Sequence, residues 1–241
     1  MRVITFLFLV ASLIGLFSCQ QADHDSPRTL LSRIERAVRV KDTGAIMLLV
    51  DNEYQDDLGG TGHLEEDLRR LFAVYGELKF HCDDIATSPE GLSANAVVES
   101  RTLHYEGPLN LQFGRTTRGL VVRAGLLTDL RGILRTLRDR RLALESGFVD
   151  ELAEVISPEY SGHPGGRKDF IGRIRSEFAP VRDVALVVND LEIVVTGENA
   201  RVTQSYLLIK HVNERTIEQR DRESLELRKE GTRWRFFAGL G

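Results

Sequence analysis

Two aspartates, Asp84 and Asp190, are the residues whose types and positions are best suited to acid–base chemistry. They lie 106 residues apart, and each follows an alternating apolar run that predicts a β-strand. Because alternate side chains share one face of a strand, we expect both carboxylates on the apolar face. A carboxylate at the rim of an apolar pocket has a raised pKa and can act as a general base. Either aspartate could instead cap a turn at the end of its strand.

Aromatic and histidine side chains supply the other candidates for a ligand pocket. Tyr54 and Tyr160 are also 106 residues apart, and each could orient a ligand through its hydroxyl or close the core at a helix end. Tyr206 and Trp234, in predicted strands near the C-terminus, complete the pocket candidates. His163 could pair with a carboxylate for acid–base work, but its Gly- and Pro-rich surroundings predict a solvated loop.

The run His81-Cys82-Asp83-Asp84 contains residue types that bind metals. On a strand only every second side chain faces the same way, so at most two of the four can converge. No second cluster at ligand spacing completes a site, and the sequence has no Gly-rich phosphate loop. We therefore predict neither a metal nor a cofactor. Alternation puts Cys82 on the apolar side of its strand, which predicts a buried, unreactive thiol.

Positive charge is concentrated in one run, whose members are Arg131, Arg135, Arg138, Arg140 and Arg141. Spread along a helix, such a run usually forms a solvated face with acidic partners four residues away. Contact with anionic lipid headgroups or an anionic polymer is the alternative interpretation. The whole chain has a formal net charge of −4, which argues against a nucleic-acid-binding protein.

The N-terminus predicts export and anchoring. Arg2 precedes an apolar stretch over 3–17, which is typical of a secretory signal and shorter than a membrane-spanning helix. The sequence Leu16-Phe17-Ser18-Cys19 resembles the lipobox of bacterial lipoproteins, with Phe17 as a departure from it. This resemblance implies that Cys19 becomes the mature N-terminus and carries lipid chains such as palmitate, with Gln20 favouring the outer membrane, facing the periplasm. A plain secretory signal that leaves a free cysteine is the alternative.

The remainder of the chain contains an internal repeat, a pattern that decides the architecture. Residues 50–54 match 156–160, and Gly59-Gly60 matches Gly165-Gly166. Near the end of each copy, 124–126 match 238–240. The ordered matches predict a signal peptide over 1–18, a tether over 19–27, a first domain over 28–126 and a second over 127–241.

Each copy has a helical pattern followed by an alternating pattern, which predicts an α+β fold. Ser26 followed by proline is typical of a helix start. Gly44 and Gly147 are expected to end the first helix of each copy in the left-handed conformation. The third helices are predicted over 63–75 and 168–178. In the first copy, Gly107-Pro108 predicts a turn and a shortened last hairpin.

Several of these features together resemble the nuclear-transport-factor-2-like (SnoaL-like) superfamily. They are the Ser-Pro-Glu-Tyr turn over 157–160, the Gly165-Gly166 pair before the third helix, and the closing Trp234-Arg235-Phe236. The resemblance implies tandem cone-like domains, each with helices packed on a curved antiparallel sheet around an apolar pocket. Because superfamily domains often pair through their sheets, it also implies an intramolecular pseudo-dimer.

These patterns favour a non-enzymatic envelope lipoprotein, anchored to the membrane through Cys19. Its cone-like domains are expected to bind a small apolar ligand or an envelope protein. The alternative is an isomerase, dehydratase or hydrolase that acts on a small molecule in the second domain, with Asp190 or His163 supplying acid–base work. A deep pocket that holds Asp190 would favour the enzyme, whereas Trp234 and Phe236 filling that interior would oppose it.

Overall fold

A computed structural model describes residues 26–117, 119–212 and 215–240. It confirms the α+β class, with helices packed on a large sheet. The first half comprises α1 (Pro27–Arg39), α2 (Thr43–Met47), β1 (Gln55–Asp56), β2 (Gly59–Gly60), α3 (Thr61–Tyr75), β3 (Lys79–Thr87), β4 (Gly91–Glu99), β5 (Leu103–Thr116) and β6 (Gly119–Ala124). The second comprises α4 (Thr128–Ser146), α5 (Val149–Glu154), α6 (Gly166–Phe178), β7 (Val181–Thr196), β8 (Asn199–Val212), β9 (Arg215–Glu230) and β10 (Arg233–Ala238). The predicted signal peptide and most of the tether lie outside the described residues.

The first helix begins where the sequence predicts, the third helix of each half begins two residues earlier than predicted, and one of the two glycine stops is wrong. The Ser26 hydroxyl accepts a hydrogen bond from the Thr29 amide, 3.2 Å away, and so caps α1. Gly147 ends α4 with φ of 73°, as predicted. Gly44 instead lies inside α2, because Lys41 takes the left-handed position with φ of 57° and Asp42 caps the next helix.

The eight main strands form one sheet in the order β10-β9-β8-β7-β5-β4-β3, with β6 also paired to β5. The two halves meet where β5 and β7 run parallel, with Leu103 opposite Leu191 and Tyr105 opposite Ile193. The remaining pairs in this sheet are antiparallel. The third main-sheet strand of the first half, β5, therefore joins the first strand of the second half, β7, edge to edge.

The predicted turn at Gly107-Pro108 is wrong, because both residues lie within β5. Pro108 pairs with Asn95 of β4. On its other side β5 pairs with β7 only up to Glu106 and with β6 only from Gln112. Pro108 thus lies in a stretch with a strand on one side only, where a residue without an amide hydrogen is tolerated.

Equivalent hydrogen bonds fix the helical layer to the sheet in both halves. Val50 forms a parallel bridge with Val122, and Ile156 forms the same bridge with Phe236. In each half the residue after the bridge, Asp51 or Ser157, donates its amide to the last strand, at 2.8 and 2.9 Å. The matched sequences therefore occupy matched positions in the structure.

Aromatic side chains fill the interior on the helical side of the sheet. Tyr105 and Phe236 are 0% exposed, Phe170 is 2% and Trp234 is 3%. They belong to one continuous apolar core that contains residues of both halves. Among the residues that the structure describes, no helix is long and apolar enough to span a bilayer.

Gly125→Ala should strongly destabilise the protein. Gly125 has φ of 91°, and an added Cβ would lie 1.7 Å from the carbonyl oxygen of Asn110. We expect a loss of at least about 2 kcal/mol in urea unfolding followed by circular dichroism. The matched control is Gly172→Ala in α6, where nothing lies within 4 Å, and it should be neutral or stabilising. An equal loss in both variants would contradict this account.

Candidate functional site

A buried guanidinium, that of Arg131, lies where the two halves meet and donates four hydrogen bonds. Arg131 lies in α4, and its side chain is 1% exposed. Its Nη1 donates to Asp56 Oδ2 at 2.7 Å, and its Nε donates to Asp67 Oδ2 at 2.9 Å. The Tyr54 hydroxyl donates to the same Asp56 oxygen. We call Tyr54, Asp56, Asp67 and Arg131 the junction cluster.

Neighbouring groups add hydrogen bonds to the junction cluster, although Arg131 Nη2 is buried without a hydrogen-bond partner among the described residues. Arg135, one turn further along α4, holds Asp67 with two nitrogens at 2.8 and 3.1 Å and donates to the Leu58 carbonyl at 2.9 Å. The amide of Leu126 donates to the Tyr54 oxygen at 3.2 Å. These contacts attach α4 of the second half to the loop before β2 and to α3 of the first half.

Electrostatics keep Asp56 charged despite its burial. Burial alone would raise the pKa of Asp56, but the hydrogen bond from Tyr54 and the charge of Arg131 outweigh it and hold the pKa below its ordinary value. Burial raises the pKa of Tyr54, so this hydroxyl stays protonated and donates. The junction cluster is therefore a stable ion network, whose groups already use each other as partners.

The expectation that the basic run is a solvated face is wrong for two of its five members. Arg131 is 2% exposed and Arg140 is 9% exposed. Arg140 forms a two-point ion pair with Glu223 at 2.6 and 2.9 Å, and the Gln204 amide donates to the same carboxylate. Burial is possible because each guanidinium faces carboxylates supplied by a distant part of the chain.

A groove of 750 Å³ runs beside the junction cluster, between α3 of the first half and the α4, α5 and β10 elements of the second. Besides His63, its charged side chains are Asp57, Glu66, Asp67, Arg70, Arg135, Arg138, Asp139, Glu151, Glu154, Arg233 and Arg235. Apolar side chains, among them Leu58, Leu142 and Trp234, lie between them. We call this the inter-half groove.

A second hollow, of 630 Å³, shares Asp57 with the inter-half groove. It lies where β5 has no strand beside it, and it is lined by both halves. Lys229 contacts Asp129 at 3.1 Å and Asp57 at 3.4 Å, and the Trp234 indole donates to Asp129 at 3.2 Å. The pocket candidate Trp234 is buried in the core, and only its indole N–H is directed at this junction.

The two repeat-matched tyrosines act as structural groups. Tyr54 is 2% exposed and Tyr160 is 3% exposed. Tyr54 accepts from the Leu126 amide, and Tyr160 donates to the Leu240 carbonyl at 3.1 Å. Each hydroxyl therefore fixes the segment that follows the last strand of its own half, as expected for a tyrosine that closes a core.

The two aspartates do not face an apolar pocket, and the predicted alternation fails at both. A β-bulge separates Asp83 from Ala86 in β3, and another separates Val188 from Asp190 in β7. Each bulge adds one residue, which changes the face of the residues that follow. Asp84, with φ of 53°, and Asp190 are consequently exposed. A bulge cannot be predicted from the alternation of apolar residues along a strand, because one extra residue does not change the amino-acid composition of that segment.

The remaining candidates are dispersed. His163 is half-buried beside Phe170, with ring centroids 6.3 Å apart. Tyr206 is half-buried on β8, and burial raises its pKa. Burial also raises the pKa of Cys82 to about 12, which keeps the thiol protonated and unreactive. Within the described ranges, no three His, Cys, Asp or Glu side chains are grouped to hold a metal ion.

Comparisons with solved structures give matches that cover about half of the chain. No family model matches the sequence, and no curated protein does. A solved structure from Streptomyces avermitilis, described as a proposed dehydratase of the NTF2-like family, is 18% identical with a TM-score of 0.42. It covers 46% of this chain and 94% of its own. A Caulobacter vibrioides protein with a cystatin-like fold is 16% identical with a TM-score of 0.40, over 46% of this chain and 85% of its own.

Arg131→Ala should destabilise the protein by about 3–5 kcal/mol, because it leaves the buried Asp56 carboxylate without its cation and removes one of the two arginines that hold Asp67. The control is Arg69→Ala, which removes an exposed helical ion pair with Glu65 and should cost no more than about 0.5 kcal/mol. Urea unfolding of both variants measures the difference. Comparable losses would show that the junction cluster does not stabilise the contact between the halves.

The lowered pKa of Asp56 predicts acid sensitivity. A carboxyl whose pKa is lower folded than unfolded contributes stability above its unfolded pKa, near 4, and loses it as the pH falls through the folded pKa. Unfolding free energies measured between pH 6 and roughly pH 2 should therefore decrease, and Asp56→Asn should flatten that decrease. An unchanged slope in Asp56→Asn would contradict this assignment.

Proposed function

We propose that the chain is a membrane-anchored, non-enzymatic binding protein of the bacterial envelope, and that it binds a polypeptide segment in the inter-half groove. We also propose that each half is a member of the nuclear-transport-factor-2-like superfamily. The observation that carries the binding proposal is the 750 Å³ groove lined by both halves. Grooves of this volume are typical of ligand-binding sites.

The interior of the second half favours binding over catalysis. An enzyme of the alternative class needs an open pocket with an acid–base group inside it. Trp234 and Phe236 occupy that interior, at 3% and 0% exposed, while Asp190 lies on the surface. The buried polar groups there, Arg140 and Glu223, already pair with each other.

The composition of the groove favours a polypeptide over a small apolar ligand. Both cationic and anionic side chains line it, and Leu142 in its wall is 47% exposed. A small apolar molecule would have to desolvate these charges without compensating them. A peptide segment carries both charge signs, backbone hydrogen-bonding groups and apolar side chains, so it can match all three.

Anchoring is inferred from the sequence resemblance at Cys19, which lies outside the described residues. Two or more acyl chains give stable attachment to a bilayer. The tether over 19–27 is short: at about 3.3–3.6 Å per extended residue it spans only a few nanometres. A partner of this protein is therefore another component of the envelope, close to the membrane, and we place the protein on the outer membrane, facing the periplasm.

A photo-crosslinking residue at Leu142 should capture the partner in living cells. The matched control is the same residue at Val40, which is 64% exposed at the end of α1, outside the groove. We expect adducts at Leu142 that mass spectrometry identifies as one envelope protein. Reversing two charges of the groove, with Arg138→Glu and Arg233→Glu, should reduce the adduct yield about tenfold or more. Equal adducts at both positions, or no effect of the reversals, would refute the groove as the binding site.

Cys19→Ala should abolish incorporation of a fatty-acid analogue and move the protein from the membrane to the soluble fraction. Cys82→Ala is the control, because Cys82 is the other cysteine of the chain and its thiol is half-buried. That variant should retain both labelling and membrane attachment. Labelling that persists in Cys19→Ala would place the lipid elsewhere.

A further inference from the structure

The hollow of 630 Å³ beside the open stretch of β5 differs from the inter-half groove in the balance of its charges. We call it the edge hollow. Three carboxylates line it, those of Asp57, Asp129 and Glu198, together with one cation, Lys229. Lys229 is already held by Asp129 at 3.1 Å and by Asp57 at 3.4 Å. The lining therefore carries two negative charges in excess.

A buried hydroxyl without a hydrogen-bond partner lies beside the edge hollow. Tyr105 is 0% exposed, and its hydroxyl has no partner among the described residues. Its side chain extends along β5 to Gly107, where an added Cβ would lie 2.6 Å from the Tyr105 oxygen and 2.9 Å from Val195 Cβ. Val195 lines the hollow, so the hydroxyl is directed at it. An unpaired buried hydroxyl costs free energy, which a ligand that supplies its partner offsets.

Electrostatics connect this hydroxyl to the acidic lining of the hollow. Burial, and after it the negative charge of Asp129, raises the pKa of Tyr105. The phenol therefore keeps its proton and stays neutral. A neutral hydroxyl has free lone pairs, so it can accept a hydrogen bond from a cationic donor that enters the hollow.

The backbone of the open stretch of β5 adds an acceptor without adding a donor. The carbonyl of Leu103 accepts from the Ser100 amide on the β4 side, and the pairing of β4 with β5 is uninterrupted over 104–112. Because backbone groups alternate between the two edges of a strand, those of Pro108 face the open edge, where this residue lines the hollow. Proline has no amide hydrogen, so the position presents a carbonyl alone.

We propose that the edge hollow binds a small aliphatic diamine, whose ammonium groups contact the excess carboxylates, the Tyr105 hydroxyl and the Pro108 carbonyl. An ammonium group carries three donors and no acceptor, which matches a lining rich in acceptors. Within the described ranges, no three acidic or histidine side chains are grouped as ligands of one metal ion, so the excess charge suits a longer cation with two separated charges. Hollows of this volume are typical of small-molecule sites.

Calorimetric titration of the full-length protein in mild detergent with putrescine should show saturable binding at physiological ionic strength. Butanediol, the neutral analogue of the same length, should not bind. Asp129→Asn should raise the putrescine Kd at least about tenfold, because it removes one of the charges that the amine neutralises. The matched control is Asp150→Asn, which changes a carboxylate that is 91% exposed on α5, outside the hollow. That variant should leave the Kd unchanged, and circular dichroism verifies that both are folded.

Tyr105→Phe separates a binding role of the hydroxyl from a structural one. Because the hydroxyl has no partner among the described residues, its removal should leave the free energy of urea unfolding unchanged or raise it. The same substitution should raise the putrescine Kd about fivefold, because it removes an acceptor of the ligand. A loss of stability with an unchanged Kd would show a structural hydroxyl and overturn the proposal.

Trp234, the single tryptophan of the chain, reports where the amine binds. Its indole donates to Asp129 at 3.2 Å, so a ligand on this carboxylate should change the fluorescence emission in a saturable way. Saturable heat without a change in emission would place the amine elsewhere and overturn the proposal. Absence of saturable heat, or equal binding of butanediol, would overturn it equally. These variants leave Leu142 and the charges of the inter-half groove unchanged, so capture of a polypeptide there is tested independently.

Discussion

The ion network around Arg131 is the interaction on which the arrangement of the two halves depends. A guanidinium that is 1% exposed is tolerated only when carboxylates surround it, and here both carboxylates, Asp56 and Asp67, come from the other half. The strand pairing between β5 and β7 spans just four residues on each strand, Leu103 to Glu106 and Leu191 to Val194. The network therefore adds a directional contact to a short ladder of strand pairing.

The internal repeat also explains why the contact that Asp56 and Asp67 make in the first half has no equivalent at the matched positions of the second half. The position equivalent to Asp56 in the second half is Gly162, and the position equivalent to Asp67 is Arg173. A buried arginine cannot be neutralised by a glycine and another arginine, so the second half cannot form the same contact. Its buried Arg140 is neutralised within its own half by Glu223. The two halves share the parallel β-bridges and the buried tyrosines. Their buried arginines, in contrast, form ion pairs with carboxylates at positions that do not match.

The sequence predicts those parts of the fold that depend on periodicity. Helix caps such as Ser26 and the apolar faces of α1 and α4 could be predicted, because they depend on nearby residues. The burial of Arg131 could not, because its partners lie more than sixty residues away and arrive only when the halves join. The exposure of Asp84 and Asp190 could not be predicted either, since a bulge reverses the side-chain face without a compositional signal. The wrong predictions about side-chain burial thus concern the candidate site residues, whose environment depends on contacts that the local sequence does not reveal.

The free edges of the sheet are unsuited to further strand pairing, which leaves the faces and the groove for association. Along β9, the stretch over 215–225 has β8 on one side and no described strand on the other. That stretch carries charges of both signs at high density, a composition that discourages pairing with another strand. At the opposite end, the bulge at Asp84 interrupts the edge of β3. Strand pairing is therefore opposed at these two edges in different ways, by charge along β9 and by a bulge in β3.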